Sequence, residues 1–195
     1  MGYHLDTVAD YKNARHNFER ALAIREKVLG SKHPDTAGSL NNLGYLLKAQ
    51  GHYESARPYY ERALAINENV LGSEHPDTAL SLNNLGELLS AQGEYESARP
   101  YYERALAIRE KVLGEKHPDT AGSLNNLGYL MGAQGQYESA RPYFERALAI
   151  REFQKNNYPK SIKSAEGYFG VIRVMEAEVS SQIKLIFWLK ATLGT

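Results

Sequence analysis

Cysteine is absent from this chain of 195 residues. A protein without cysteine has neither a disulfide framework nor a thiolate metal site. The sequence also lacks any apolar run near the ~20 residues of a membrane-spanning helix, and no signal peptide opens it. We therefore expect a cytoplasmic protein that has no membrane partner.

Net charge is absent too, because 23 Lys and Arg residues balance 23 Asp and Glu residues. The two signs are interspersed along the chain, which argues against a phosphate-binding surface as the main activity. Tyrosine is abundant, with 14 residues, but stacking platforms for single-stranded nucleic acid also need a basic groove. We therefore expect no nucleic-acid partner.

A repeat of 42 residues dominates what the sequence does contain. Residues 53–94 and 95–136 differ at only nine positions, and partial copies begin at Tyr11 and Tyr137. Self-similarity with a period of roughly 20 to 50 residues is typical of solenoids and arrays. Such folds have no single central core, because each repeat packs only on its neighbours.

Each repeat carries two amphipathic helical patterns. From Pro76 to Gln92, apolar residues recur at spacings of three and four, which places them on one face of a helix, here named helix A. Its proline and aspartate suit a first turn, and Gly93 ends it. A second such pattern, helix B, runs from Tyr95 to Leu113. Since only a tight glycine turn joins them, the two helices must pack antiparallel as a hairpin.

The order of these residues resembles the tetratricopeptide repeat. Leucine and glycine in helix A, glycine-x-tyrosine at the turn, and alanine, tyrosine and alanine in helix B fall where that motif has them. The matching residues are Leu85, Gly86, Gly93, Tyr95, Ala98, Tyr102 and Ala105. The period of 42 rather than ~34, the long helix B and the loop His-Pro-Asp-Thr are similar to the kinesin light chain subtype. The resemblance covers residues 2 to about 152.

The resemblance implies an all-α fold, a right-handed α-solenoid of antiparallel helix pairs. We expect a partial N-terminal repeat at residues 1–30, made of a truncated helix A and a helix B. A repeat array with a concave groove is expected at residues 31–157. A degenerate C-terminal repeat and an apolar capping helix should follow at residues 158–195, because the periodicity decays there.

The triplet His-Pro-Asp recurs at His33, His75 and His117. A metal site is one interpretation, but successive repeats would hold these histidines roughly 10 Å apart at ordinary helix spacing, and no second ligand accompanies each one. The J-domain of chaperones carries the same triplet, but only once. Punctuation at a helix start explains the residues fully. We therefore predict no metal and no cofactor.

In tetratricopeptide arrays helix A lines the concave groove, so the resemblance also implies a site. The implied peptide-binding residues are Asn41, Asn42, Tyr45, Lys48, Asn83, Asn84, Glu87, Asn125, Asn126 and Tyr129. Asparagine amides both donate and accept hydrogen bonds, which suits the backbone of an extended peptide. The alternative is that Asn42, Asn84 and Asn126 hydrogen-bond the neighbouring helix, and the two roles can coexist.

Family members that clamp a C-terminal carboxylate use lysine and arginine beside the asparagines. The matching positions here include Gly38, Leu80 and Gly122, so we expect an internal, uncharged or mixed-charge segment as the ligand. Serines, histidines and carboxylates recur at equivalent repeat positions, which is typical of architecture rather than of a reacting site. We predict a non-enzymatic interaction scaffold that binds a protein or peptide, extended or as a short helix, in the groove.

The C-terminal tail departs most from the repeat. Its residues are apolar in consecutive positions, and a helix cannot turn all of them toward one neighbour. The residues predicted to self-associate are Ile183, Ile186, Phe187, Trp188 and Leu189. Two alternatives to the peptide scaffold stay open. One is a structural or self-assembling element that oligomerises through its ends, for example as a homodimer of tails, and the other is a regulatory or sensor arm of a larger multidomain protein.

Overall fold

The computed structural model describes residues 3–157, with side chains from Tyr11 onward. This part of the chain contains seven α-helices and no strand. The helices are α1 (Tyr3–Val28), α2 (Pro34–Ala49), α3 (Tyr53–Val70), α4 (Pro76–Ala91), α5 (Tyr95–Leu113), α6 (Pro118–Ala133) and α7 (Tyr137–Asn157). Here α2, α4 and α6 are the predicted A helices, and α3, α5 and α7 are the predicted B helices.

The predicted capping helix and the predicted self-association residues lie outside the described residues. These residues are Ile183, Ile186, Phe187, Trp188 and Leu189. The predicted domain boundaries at residues 30 and 157 therefore stay predictions.

Each A helix begins at the His-Pro-Asp triplet. His33, His75 and His117 are N-cap residues with extended backbone, and a proline follows at the start of each helix. The imidazole Nδ1 accepts a hydrogen bond from the backbone N–H of the aspartate, 3.1 Å away in all three repeats. The interpretation as helix-start punctuation is confirmed. The imidazole itself caps the helix, a role for which serine, threonine, aspartate and asparagine are preferred in most helices.

A glycine with positive φ separates each helix A from the following helix B. Gly51, Gly93 and Gly135 have φ values of 77°, 80° and 75°, a conformation that costs other residues energy. The residue that aligns with them near the N-terminus is Ala9. Helix α1 passes through this position without interruption. The structure therefore differs from the expected truncated helix A followed by a turn, because the glycine that makes the turn is missing.

Helices A and B of one repeat meet where a glycine faces an aromatic ring. A Cβ atom added to Gly86 would lie 2.8 Å from the ring of Tyr102, and the equivalent contact recurs at Gly44 and Gly128. The Tyr102 ring is 3% exposed, as is Leu85 beside the glycine. The missing side chain lets the two backbones approach until the ring fills the space between them.

The A helices lie closer to one another than the B helices do. The backbone of α4 contacts both α2 and α6, whereas no such contact joins α3 to α5 within the described residues. Long side chains bridge the B helices instead, as in the hydrogen bond of 2.6 Å from Arg104 to Glu68. The stack therefore curves with the A helices on its concave side, which confirms the predicted α-solenoid of antiparallel helix pairs.

The variant Gly86→Ala should lower the free energy of unfolding by about 1–3 kcal/mol, because the added methyl group overlaps the Tyr102 ring. The matched control is Gly122→Ala in α6, where an added Cβ meets no atom within 4 Å. Alanine favours a helix over glycine by about 1 kcal/mol, so the control should be as stable as the parent or more stable. Urea unfolding followed by circular dichroism measures both, and equal midpoints would contradict the close packing at Gly86.

Candidate functional site

One side of α2, α4 and α6 forms the concave face, and the predicted site residues occupy equivalent positions on these three helices. Each of these helices carries two consecutive asparagines, and the first of the two is more deeply buried than the second. The first members, Asn41, Asn83 and Asn125, are only 8%, 6% and 5% exposed. Among the second members, Asn42 is exposed, and Asn84 and Asn126 are half-buried. The first members therefore lie between repeats, and the second members border the groove.

Glu87 links three repeats through hydrogen bonds. One carboxylate oxygen accepts from Lys48 Nζ of α2 at 2.5 Å, and the other accepts from Asn83 Nδ2 of its own helix at 2.9 Å. Asn83 Oδ1 in turn accepts from Asn126 Nδ2 of α6 at 2.8 Å. We call this chain of four residues the Glu87 network. It contains the only two charged residues of the predicted site, Lys48 and Glu87, and they neutralise each other.

The equivalent asparagines one repeat earlier are arranged differently. Asn41 Nδ2 donates to Ser81 Oγ of α4 at 3.3 Å, and the buried Asn41 Oδ1 has no hydrogen-bond partner. Asn84, the counterpart of Asn126, makes no side-chain hydrogen bond within the described part of the chain. The alternative in which the second asparagine bonds the neighbouring helix therefore describes Asn126 but not Asn84.

Two tyrosines and Leu80 of α4, which is 43% exposed, are the large apolar side chains exposed on the three A helices. Tyr45 is 62% exposed and Tyr129 is 46% exposed. The ammonium group of Lys48 lies 5.6 Å from the centroid of the Tyr45 ring, within cation–π range. The Tyr129 ring packs edge to face with Phe144, with 5.3 Å between centroids. Each exposed tyrosine adds apolar area to the groove.

Two further tyrosines, Tyr60 and Tyr102, lie beneath the groove and are 1% and 3% exposed. Burial, with a smaller contribution from the negative charge of Glu87, raises the pKa of each phenol above its ordinary value. Both hydroxyl groups therefore stay neutral in the fold over the physiological pH range, and the floor of the groove carries no phenolate charge.

A polar position in helix B was missed by the sequence analysis. Arg109 Nη1 donates to Ser123 Oγ at 2.7 Å and to the Asp119 carbonyl at 3.2 Å. The side chain is almost wholly buried, and this burial lowers the pKa of the Arg109 guanidinium from its ordinary value. Arg25 makes the equivalent contacts in the first repeat, and Asn67 makes them in the second. The available signal was a polar residue that recurs every 42 positions on the inner side of helix B.

Within the described residues, no group of three histidines or carboxylates is placed to hold a metal ion. In that same part of the chain, no helix combines the length and the apolar character needed to cross a membrane. The concave face offers amide hydrogen bonds, two exposed aromatic rings, the exposed side chain of Leu80 and one neutralised ion pair.

Comparison with known proteins identifies the family of this chain. Residues 4–69, 39–111 and 77–152 match the family profile of the tetratricopeptide repeat. The crystal structure of BtubC (BKLC) from P. vanneervenii is similar, with 29% identity and a TM-score of 0.68 over 80% of this chain. This chain spans 62% of the length of that BtubC chain. None of the curated proteins matches.

Two crystal structures of a candidate kinesin light chain from Podosopora anserina, with nearly identical TPR-like repeats, are also similar. One has 27% identity and a TM-score of 0.65, and the match covers 99% of this chain and 93% of that one. The other has 26% identity and a TM-score of 0.65, with 97% and 92% covered. Both likenesses extend along nearly the whole of each chain.

The fold and the concave face together define a helical-repeat scaffold for protein interactions. The chain belongs to the tetratricopeptide repeat family, and its repeats are of the kinesin light chain-like type. The predicted family and the predicted right-handed α-solenoid are confirmed. Arrays of this family are generally non-catalytic interaction scaffolds.

The raised pKa values of Tyr60 and Tyr102 give a test at alkaline pH. The unfolded chain ionises its tyrosines near pH 10. The stabilisation that comes from keeping these two phenols neutral in the fold is therefore complete below that pH and is lost as the pH rises above it. Each buried tyrosine should lower the free energy of unfolding by up to about 1.4 kcal/mol per pH unit there. The double variant Tyr60→Phe and Tyr102→Phe should show a shallower decline in urea unfolding between pH 9 and 11. Phenylalanine already occupies the third equivalent position, at Phe144, and parallel declines for parent and variant would refute the assignment.

Proposed function

We propose that this chain is a non-enzymatic scaffold whose concave groove binds an extended or short helical peptide segment of a partner protein. The observation that carries the proposal is the unequal engagement of the groove amides. Asn126 is held by the Glu87 network, whereas Asn84 and the exposed Asn42 keep their donors and acceptors available. Free amides of this kind can pair with a peptide backbone whatever its side chains.

The two exposed tyrosines support the same proposal. Tyr45 and Tyr129 lie on α2 and α6, on either side of α4, and they can cover apolar side chains of a bound segment. Since Lys48 and Glu87 neutralise each other, the groove favours an internal, uncharged or mixed-charge segment over a terminal carboxylate. The balanced charge likewise offers little attraction to nucleic acid or to an anionic membrane. We place this interaction in the cytoplasm, where a chain without cysteine needs no oxidising environment.

The test uses a peptide selected from a random 12-residue library and synthesised with both ends blocked. Asn42→Ala and Asn84→Ala should each weaken its binding, measured by fluorescence anisotropy, by about fivefold, because a hydrogen bond contributes about 1 kcal/mol. Both side chains border the groove, so the melting temperature should change little.

Matched controls lie on the convex side, where Glu61 and Glu103 are exposed on α3 and α5. Arg57 is less suitable, because its Nη2 bonds Gln92 and Glu94 of the next repeat. If Glu61→Ala and Glu103→Ala weakened binding more than the asparagine variants did, the groove would not be the binding surface.

Self-assembly through the ends is a second candidate function, and the exposure of α1 favours it. Ile24 is 53% exposed, whereas the equivalent Ile66 and Ile108 are each 6% exposed under a helix A. Val28 on the same helix is 71% exposed, but its equivalents Val70 and Val112 are also exposed, at 51% and 47%, so the argument rests on Ile24. Exposed aliphatic side chains of this size favour burial against another surface.

Light scattering coupled to size exclusion tests this second candidate on the full chain and on a chain that ends at Val179. A dimer that becomes a stable monomer on truncation would place the interface in the predicted tail residues. A full chain that stays monomeric at all concentrations would reject self-association, and the peptide-binding proposal would be unaffected.

A further inference from the structure

The three A helices that border the groove are nearly identical. The asparagines that face each other across neighbouring A helices nevertheless differ in their hydrogen bonds. Between α4 and α6, the pair Asn83 and Asn126 is joined by a hydrogen bond of 2.8 Å. Between α2 and α4, the equivalent pair Asn41 and Asn84 is not joined, and the buried Asn41 Oδ1 is left without a donor. A difference elsewhere in the repeats must account for this.

Glu87 is the first candidate cause, because α2 has Tyr45 at the equivalent position. The Glu87 carboxylate accepts from Asn83 Nδ2 at 2.9 Å, and hydrogen bonds to an ionised acceptor are about twice as strong as neutral ones. With its nitrogen directed at Glu87, the Asn83 amide presents Oδ1 to α6, where Asn126 donates to it. The carboxylate therefore orients one amide and, through it, the next.

The first pair has no such carboxylate. Asn41 Nδ2 instead donates to Ser81 Oγ of α4 at 3.3 Å, so the amide turns its nitrogen rather than its oxygen toward the next repeat. Asn84 Nδ2 cannot donate to another nitrogen donor. The Asn84 amide is left with no hydrogen bond in the described part of the chain.

The difference in helix B, where Asn67 is replaced by Arg109 one repeat later, does not explain the effect. Arg109 occupies the position of Asn67 and donates to Ser123, as Asn67 does to Ser81. Ser81 Oγ accepts hydrogen bonds from both Asn67 and Asn41. A donor from helix B therefore does not prevent the serine from accepting a second hydrogen bond from an asparagine of helix A. Ser123 keeps the same capacity for Asn83, but the Asn83 amide is directed at Glu87 instead.

We propose that Glu87 is a positioning residue that decides which groove asparagine meets a bound peptide. By orienting Asn83, it holds Asn126 in the scaffold, and it leaves Asn84 as the amide that contacts the peptide backbone. The inference rests on the proposed peptide-binding function, and it assigns unequal roles to residues at equivalent positions. Glu87 itself need not touch the peptide.

The first measurement needs no peptide. Glu87→Tyr gives α4 the residue that α2 and α6 carry at this position, and it removes the acceptor of Asn83 Nδ2. Exchange of the side-chain amide protons of Asn126, followed by nuclear magnetic resonance on the ¹⁵N-labelled full chain, should be slow in the parent and at least severalfold faster in the variant. Glu87→Gln keeps the length of the side chain and removes the charge, so it should give an intermediate rate.

The second measurement uses the blocked 12-residue peptide selected above. In the parent, Asn84→Ala should weaken its binding about fivefold, and Asn126→Ala should change it less than twofold. In the Glu87→Tyr background, Asn126→Ala should also weaken binding about fivefold, because the released amide becomes available. If Glu87 contributed only to stability, its replacement would make the protein less stable without changing which asparagine the peptide depends on.

The outcomes separate the two proposals. Equal exchange of the Asn126 amide in parent, Glu87→Tyr and Glu87→Gln would overturn the positioning role, whatever the peptide does. Equal losses from Asn84→Ala and Asn126→Ala in the parent would overturn it as well. Failure of every library peptide to bind would reject the proposed function, while the amide-exchange measurement would still decide the role of Glu87 in orienting the pair.

Discussion

The close approach of helices A and B at one glycine is the constraint on which the repeat depends. The Tyr102 ring lies against Gly86, where even a methyl group would overlap it. Because this contact fixes the face of α4 that packs on α5, it also fixes the face that is left for the groove. Asn84 lies two residues before the glycine and Glu87 one residue after it. Because a helix turns by about 100° per residue, both side chains point away from the ring. Packing within one repeat thus orients the residues proposed to bind a partner.

Neighbouring repeats are joined by two kinds of contact that differ in strength. Apolar side chains from adjacent repeats share core clusters, in which Leu88 and Leu124 are completely buried. On the convex side, Arg104 pairs with Glu68, but the two side chains are 43% and 33% exposed. Surface ion pairs of this kind contribute about 0.2–1 kcal/mol, and salt screens them. The apolar contacts therefore supply most of the coupling between repeats, and the ion pairs mainly guide the spacing of the B helices.

The sequence was sufficient to predict most of the fold, because periodicity and glycine position are local properties. Spacing of apolar residues identified helices A and B, and the motif around Gly86 identified the family. The site was predicted less completely. Which residues line the concave face follows from the family, but the direction of each amide does not. Asn41 and Asn83 occupy equivalent positions but donate to different acceptors, Ser81 for one and Glu87 for the other. The sequence analysis also did not predict that α1 is one uninterrupted helix, because it followed the alignment with the repeat and did not consider that residue 9 is alanine rather than a turn glycine.

The nine differences between residues 53–94 and 95–136 show how a repeat can build a site that does not repeat. One of them lies in the core, where Leu89 becomes Met131, a substitution that roughly conserves volume. Two further differences occur together, one in helix B and one in the helix A that follows it. When the residue in helix B is arginine, the groove residue of that helix A is glycine. When the residue in helix B is asparagine, the groove residue is leucine. The pairs are Arg25 with Gly38, Asn67 with Leu80, and Arg109 with Gly122. A Cβ added to Gly38 would lie 4.0 Å from the Arg25 guanidinium, whereas a Cβ added to Gly122 would meet no atom within 4 Å. The proposed groove therefore presents glycine, leucine and glycine beside tyrosine, glutamate and tyrosine. A repeated fold thus does not require a repeated sequence in the proposed partner.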